Sequence, residues 1–215
     1  MPLVLLPQRA VWWPARRWLL LADVHLGKAS TFRTLGVPVP CGTTAATLAR
    51  LDALVDALAP LRLVVLGDLL HGPQARASAA IDALAGWRRR RPALEVTLVR
   101  GNHDDRAGDP PGHCGVEALD GPLAADGLLL CHAPDDAPAC SGGHVLAGHL
   151  HPGYRLAARA DALRLACFWH RPRATVLPAF GEFTGRMTIR PAPDDRVFVT
   201  DGQAVREVPR RRLAA

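Results

Sequence analysis

Five short segments carry side chains able to bind metal ions, and each stands directly after an apolar run. Asp23-Val24-His25 follows residues 18–22, Gly67-Asp68 follows 63–66, and Gly101-Asn102-His103-Asp104 follows 96–100. His132 follows 128–131, and Gly148-His149-Leu150-His151 follows 144–147. Carboxylates, imidazoles and an amide oxygen make a donor set that suits Mn, Fe or Zn without a thiolate. The spacings Asp23-x-His25 and His149-x-His151 place both side chains on one side of an extended segment. Two metal ions about 3.5–4 Å apart need a shared ligand, and the Asp68 carboxylate is the natural bridge. The chemistry this set suits is metal-assisted hydrolysis.

Such ligands must be held by rigid elements, and strand ends in a buried sheet are rigid. In open α/β sheets, ligands collect at the carboxyl ends of the strands. Gly67, Gly101 and Gly148 let the backbone turn tightly beside the ligands. Strands are expected at 3–6, 10–13, 18–21, 63–66 and 96–99, punctuated by Pro7 and the 14–17 stretch. A helix capped by Thr43 or Thr44 runs to Leu58, with Leu48, Leu51, Leu54, Val55 and Leu58 at helical spacing, and Pro60 ends it. A second helix spans 78–90 and closes before Pro92. Alternation of strand and helix indicates a sheet with helical crossovers. After a polar loop at 105–115, strands at 128–131, 145–147, 163–168, 175–177, 186–189 and 197–200 make the second half mainly antiparallel. The tail, 210–215, is expected to fray.

The chain has 215 residues, 49% of them hydrophobic and only 5% aromatic, so Leu, Val and Ala must fill a sizeable core. Its formal charge is +6, with Lys28 the single lysine, so arginine carries nearly all the positive charge. Arginine suits phosphate recognition, and the basic balance fits an anionic substrate such as nucleic acid. The cysteines Cys41, Cys114, Cys131, Cys140 and Cys167 are odd in number and form no CxxC pair. A disulfide framework or cysteine zinc site is therefore not expected, and a reducing, cytoplasmic compartment is. No apolar run reaches membrane-spanning length, and no signal peptide is read at the start.

In order and together, Asp23-x-His25, Gly67-Asp68, Gly101-Asn102-His103-Asp104, His132 and Gly148-His149-x-His151 resemble the calcineurin-like metallophosphoesterase superfamily, across residues 18–152. A narrower resemblance covers most of the chain. LADVHLGKASTFR, GVPVPCGTT, LGDLLHG, RGNHD, LAGHLHP and LPAFGEFTG look like the bacterial ligase-associated DNA damage response endonuclease/phosphoesterases (PdeM type). These resemblances imply a single domain over 1–215, an α/β four-layer αββα sandwich of two mixed sheets flanked by helices. They imply two divalent metal ions, Mn²⁺ first, with Fe or Zn as alternatives. One ion would take Asp23, His25 and His151, the other Asn102, His132 and His149, with Asp68 bridging. A hydroxide between the metals would attack phosphorus. His103 would protonate the leaving group, and Asp104 would hydrogen-bond the His103 imidazole.

His132 rests on its strand-end position, since family members often have His-Gly where this chain has His132-Ala133-Pro134; His113 and His144 are its rivals. Lys28, Arg33 and His71 lie just beyond the ligands and are candidates for substrate phosphates, with solvated loop residues the equal alternative. Phe180, Gly181, Phe183 and Thr184 are read as a loop edging the site or as core. Trp12, Trp13 and Trp18 are read as packed on the first strands, and the arginines of 88–91 and 210–212 as solvated ends. The implied function is hydrolysis of DNA phosphodiesters in repair, beside a DNA ligase, a helicase and an exonuclease-like partner. The alternatives are a small-molecule phosphatase or cyclic-nucleotide phosphodiesterase on the same site, and a non-catalytic docking subunit of a repair complex.

Overall fold

The computed structural model describes residues 2–76, 79–138, 142–157 and 162–209. Six strands form a first sheet in chain order: β1 (Val4–Leu6), β2 (Ala10–Trp13), β3 (Trp18–Leu21), β4 (Arg62–Leu66), β5 (Glu95–Val99) and β6 (Glu117–Leu119). The first two pairings are antiparallel, and β3 to β6 are parallel. Helices make the parallel crossovers: α1 (Lys28–Thr34) and α2 (Thr43–Leu58) between β3 and β4, α3 (Pro73–Arg76) and α4 (Ala79–Arg89) between β4 and β5, and α5 (Asn102–Ala107) after β5. The second sheet holds β7 (Leu123–Ala125), β8 (Leu128–Leu130), β9 (His144–Ala147), β10 (Pro152–Ala157), β11 (Ala162–His170), β12 (Ala174–Val176), β13 (Met187–Thr188), β14 (Arg196–Thr200) and β15 (Val205–Glu207).

Apolar residues pack both faces of the first sheet. Leu63 and Val65 of β4 meet Leu51 and Leu54 of α2 and Leu84 and Trp87 of α4. Val64 and Leu66 turn the other way, onto Leu130, Leu146, Phe168 and Leu177 of the second sheet side. That two-sided burial is why β4 reads as a continuous apolar run instead of an alternation. The expected α/β sandwich of two mixed sheets is present. Among the described residues its α-helices lie between Lys28 and Ala107. The outer face of the second sheet is covered by residues such as Cys167, Val197 and Val199 packing with Ile189 and Val208. Among the described residues, no helix is long and apolar enough to cross a membrane.

Several local expectations change. Neither Thr43 nor Thr44 caps α2; Gly42 occupies the N-cap at φ 79 with no side-chain cap bond. Helix α1 forms where no helical periodicity exists, and α5 takes Asp105 to Ala107 out of the expected loop. Antiparallel pairs dominate the second sheet, but β8 and β12 both pair parallel with β9. The arginines expected as a solvated helix end in fact tie α4 to α2: Arg90 and Arg91 pair with Asp52, and Arg91 with Asp56. Trp13 is fully buried and meets Trp18 edge to face, as expected for packing on the first strands. Ser78, Cys140 and residues 210–215 lie outside the described residues.

Candidate metal centre

Because β3, β4 and β5 run parallel, their carboxyl ends share one edge, and the parallel pair β8 and β9 brings two more ends to it. Main-chain bonds stitch the emerging loops together. Asp23 N–H donates to the Gly67 carbonyl at 3.1 Å, His25 N–H to Asp68 at 2.8 Å, and Gly148 N–H to His132 at 2.8 Å. His149 N–H donates to the Asp23 carboxylate at 3.1 and 2.9 Å. The two-residue spacings do not act through extended backbone. Asp23, His25, Asp68, His149 and His151 all have positive φ, between 46° and 69°. Left-handed backbone at non-glycine residues costs on the order of 1–3 kcal/mol each and persists where surroundings over-determine it. Asp23, Asp68, His25 and His132 are buried at 0%, 2%, 5% and 4% exposure, while His149 is exposed at the rim.

The donors fall into two groups that meet at one carboxylate. His25 Nε2 lies 3.3 Å from His151 Nε2, and His151 Nε2 lies 3.4 Å from Asp23 Oδ1. On the other side, His132 Nε2 lies 3.0 Å from Asn102 Oδ1 and 3.0 Å from His149 Nδ1. Its Nδ1–H donates to the Leu66 carbonyl at 3.2 Å, which fixes the tautomer and leaves the Nε2 lone pair facing the group. Asp68 turns Oδ2 toward His25 Nε2 at 3.7 Å and Oδ1 toward His132 Nε2 at 3.5 Å. The rivals of His132 are elsewhere: His113 is exposed, and His144 bonds the Thr175 hydroxyl at 2.8 Å.

This arrangement fits divalent cations. Among the described residues, no arginine or lysine ion-pairs with the buried carboxylates of Asp23 or Asp68. Two uncompensated buried anions cost several kcal/mol unless positive charge arrives. Asp23, His25 and His151, and likewise Asp23, Asp68 and His132, place ligand atoms within 4.8 Å of one another. Burial, with Lys28 and neighbouring imidazoles adding to it, pushes His25 far below the usual histidine range, so its imidazole is neutral, the form a metal ion requires. Cys131 takes no part as a thiolate, since burial pushes it up to about 11. The thiols of Cys41, Cys114, Cys131 and Cys167 are free.

The calcineurin-like phosphoesterase profile matches residues 16–148, which covers the first four strand-end segments and ends at Gly148, just before His149 and His151. The chain belongs to the calcineurin-like phosphoesterase family. A crystal structure of Pseudomonas putida nuclease MPE is 43% identical, covering 96% of this chain and 94% of that one, with a TM-score of 0.83. Yfce, a phosphoesterase from E. coli, is 17% identical over 89% of this chain and 97% of that one, with a TM-score of 0.44. No curated protein matches the chain in sequence. The protein is thus a metal-dependent hydrolase of phosphoester bonds.

In this phosphoesterase His103 stands over the centre at the start of α5. Its backbone N–H donates to Asp68 Oδ1 at 3.0 Å, and its Nδ1–H donates to the His71 carbonyl at 2.6 Å. Asp104 does not hold the His103 imidazole as expected. Its carboxylate accepts the N–H groups of Asp68 at 2.7 Å, Gly101 at 3.0 Å and Leu70 at 3.1 Å, locking the β4 and β5 loops together. Burial pushes Asp104 up to about 6 despite those three donors. Burial likewise raises Asp68.

The three substrate candidates separate. His71 is in the site: its ring stacks on His103 at 4.7 Å and its Nδ1 lies 3.4 Å from His25 Nδ1. Burial, then Lys28 and His103, pushes it down to about 4, so it is neutral. Lys28 lines a small cleft with His25, Thr47, Phe183 and Thr184, and burial lowers its pKa while Asp23 and Asp68 oppose the shift. Arg33 is exposed and donates to Ala29 on its own helix at 3.4 Å, so it is not brought to the centre.

Two features escaped sequence reasoning. Gly101 and Gly148 are needed for close approach: a Cβ on Gly101 would run into Asp68 Oδ1 and the His132 ring, and one on Gly148 would meet Ala22 and Asp23. Gly67 adds a positive φ of 76°, so it alone combines the expected turn with close packing. The 179–184 loop is clamped by Arg9 and Arg50, both paired with Glu182, with the Arg50 guanidinium 4.3 Å from the Phe180 ring centroid. Phe180 is thereby core, while Phe183 edges the cleft. Nothing in the spacing of single arginines so far from that loop marks such a clamp.

Proposed function

We propose that this phosphoesterase is a two-metal phosphodiesterase acting on DNA, a repair nuclease that works with a DNA ligase. The nucleic-acid reading is carried by the 43% identity, over 96% of the chain, to a protein described as a nuclease. The narrower motif resemblance supports the repair assignment. The dinuclear reading is supported by the division of the Asp68 oxygens between His25 and His132. Asp23, His25 and His151 would hold one ion and Asn102, His132 and His149 the other, with Asp68 shared; a set of oxygen and imidazole donors suits Mn²⁺. Bound ions lower the pKa of water and neutralise charge on the phosphoryl oxygens.

The chain's own residues complete the chemistry. With Nδ1–H held by the His71 carbonyl, His103 presents Nε2 to the substrate. As the imidazolium, protonated on both nitrogens, it donates the Nε2 proton to the leaving oxygen as the P–O bond breaks and is left neutral with Nδ1–H, while water supplies the new oxygen on phosphorus. Asp104 keeps the loops bearing Asp68 and His103 in register. We take 1–215 as one working unit, since Arg9 near the start clamps the 179–184 loop and the Thr200 hydroxyl donates to the Pro7 carbonyl at 2.8 Å.

The test is metal analysis of the purified protein coupled to turnover of a phosphomonoester, a small diester, single-stranded DNA and nicked DNA. About two Mn²⁺ per chain and DNA cleavage lost in Asp68→Asn are expected. Turnover of the monoester alone would exclude the nuclease reading. Metal-loaded protein inert on every phosphoester would favour a docking subunit instead.

A further inference from the structure

Phe32 and Phe183 are half-buried, yet they belong to none of the four apolar clusters that make the core. They meet edge to face at the rim of the site, with centroids 5.7 Å apart at 87°. Phe32 is also the outer member of a run of rings that begins at the centre. His103 stacks on His71 at 4.7 Å and 21°, and His71 lies against Phe32 at 6.1 Å and 27°. Since His103 is the proposed proton donor to the leaving oxygen, a group carried by that oxygen starts within reach of this run of rings. Lys28 sits one helical turn before Phe32 on α1, and adds a cation on the same bank.

The opposite bank differs in charge. A cavity of about 480 Å³ beside Asn102, His132 and His149 is edged by Asp105, Asp120 and Asp136. Its one arginine, Arg100, is held by Asp109 and Asp120 at 2.7 and 2.6 Å. Beyond the ligand residues that bank is richer in carboxylate than the Lys28 side, which favours a polyanion lying along the Lys28 side. Exposed aromatic faces beside a cation hold nucleobases by stacking, a contact blind to base identity.

We infer that Phe32 and Phe183 form a stacking shelf for an unpaired nucleobase on the leaving side of the scissile phosphodiester. The inference rests on the nuclease reading above. A base within a duplex is already stacked on both faces, so the shelf favours single-stranded or frayed DNA. The substrate class is thereby narrowed to strands with an unstacked nucleotide at the cut.

The test uses the full chain with Mn²⁺ and a single-stranded oligonucleotide in which one abasic residue is moved along the sequence. Wild-type protein is expected to lose cutting beside the abasic residue about ten-fold, through KM. Phe32→Ala and Phe183→Ala should raise KM on the intact strand by a similar factor and lose the abasic discrimination. Phe32→Tyr, which keeps the ring, should retain both. If wild-type protein cuts the abasic strand equally well, the shelf is overturned, and that measurement needs no variant. If the Ala variants lower kcat alike on both strands while discrimination survives, the rings merely support His71 and the inference fails. Wild-type protein that hydrolyses a small phosphoester but cuts no DNA would sink the nuclease reading itself, and the shelf with it.

Discussion

At the residue scale the His71 carbonyl decides what His103 can do. By accepting Nδ1–H at 2.6 Å it occupies one ring nitrogen and leaves Nε2 as the one that gains a proton in the imidazolium and can pass it on. If Nε2 delivers the leaving-group proton, its removal should hurt most where the leaving oxygen is basic. We predict that His103→Ala lowers kcat about 10²–10⁴-fold on a nucleoside or alkyl ester. On a p-nitrophenyl ester, whose leaving oxygen needs no proton, it should lower kcat far less. Equal losses on both esters would assign His103 to positioning. Asp104 has a different task, because its oxygens already take three backbone N–H groups. Asparagine keeps one acceptor oxygen and sets an NH₂ against a backbone donor. Asp104→Asn should therefore cost ~1–3 kcal/mol, read as a lower Tm in metal-free protein. An unchanged Tm would mean that Asp104 does not lock these loops.

Glycines at the strand ends are where element geometry and ligand geometry meet. Gly101 has φ −112, a backbone that any residue adopts, so a side chain there is opposed not by backbone strain but by packing, first against Asp68 and His132. We predict that Gly101→Ala leaves the protein folded by circular dichroism yet lowers activity more than about 100-fold, the scale of loss expected when ligands shift by an ångström. Gly112→Ala, with nothing within 4 Å of its Cβ, serves as the neutral control. Equal activity in the two variants would refute the close-approach argument. The strands β3, β4, β5, β8 and β9 were legible because an apolar run ending in a ligand-type residue has few other uses. Helix α1 was not legible, since Ala29 is its one buried residue and no apolar stripe marks it. The alternation Asp23-x-His25 reads as a strand, but the loop bonds to Gly67 and Asp68 impose left-handed backbone that periodicity does not encode.

Across the whole molecule, the change in character after residue 105 marked a mainly antiparallel second half and the family resemblance implied two mixed sheets, but the joining of the sheets could not be anticipated. It depends on Leu66, Val99, Leu130 and Phe168 choosing the inter-sheet face, and on contacts such as Thr200 to Pro7 that link residues far apart in the chain. At the sheet end away from the metal centre, the Thr175 hydroxyl lies 2.8 Å from His144 Nε2 and 2.8 Å from His170 Nδ1. One hydroxyl can donate to one imidazole and accept from the other, so neutral rings are satisfied there. Burial lowers both pKa values, with His170 adding to the effect on His144 and Arg196 to that on His170. The folded protein therefore binds fewer protons at this pair than the unfolded chain does. Their contribution to stability is present above the unfolded histidine value of about 6.5 and is lost as pH falls through the folded values. Asp104, raised to about 6, works in the opposite direction between about 4 and 6, so an absolute slope would mix the two effects. The comparison of wild type with the double variant His144→Gln/His170→Gln separates them. In metal-free protein, Tm should fall more steeply for wild type than for the variant between pH 7.5 and 4.5, and parallel curves would show that this pair does not sense pH.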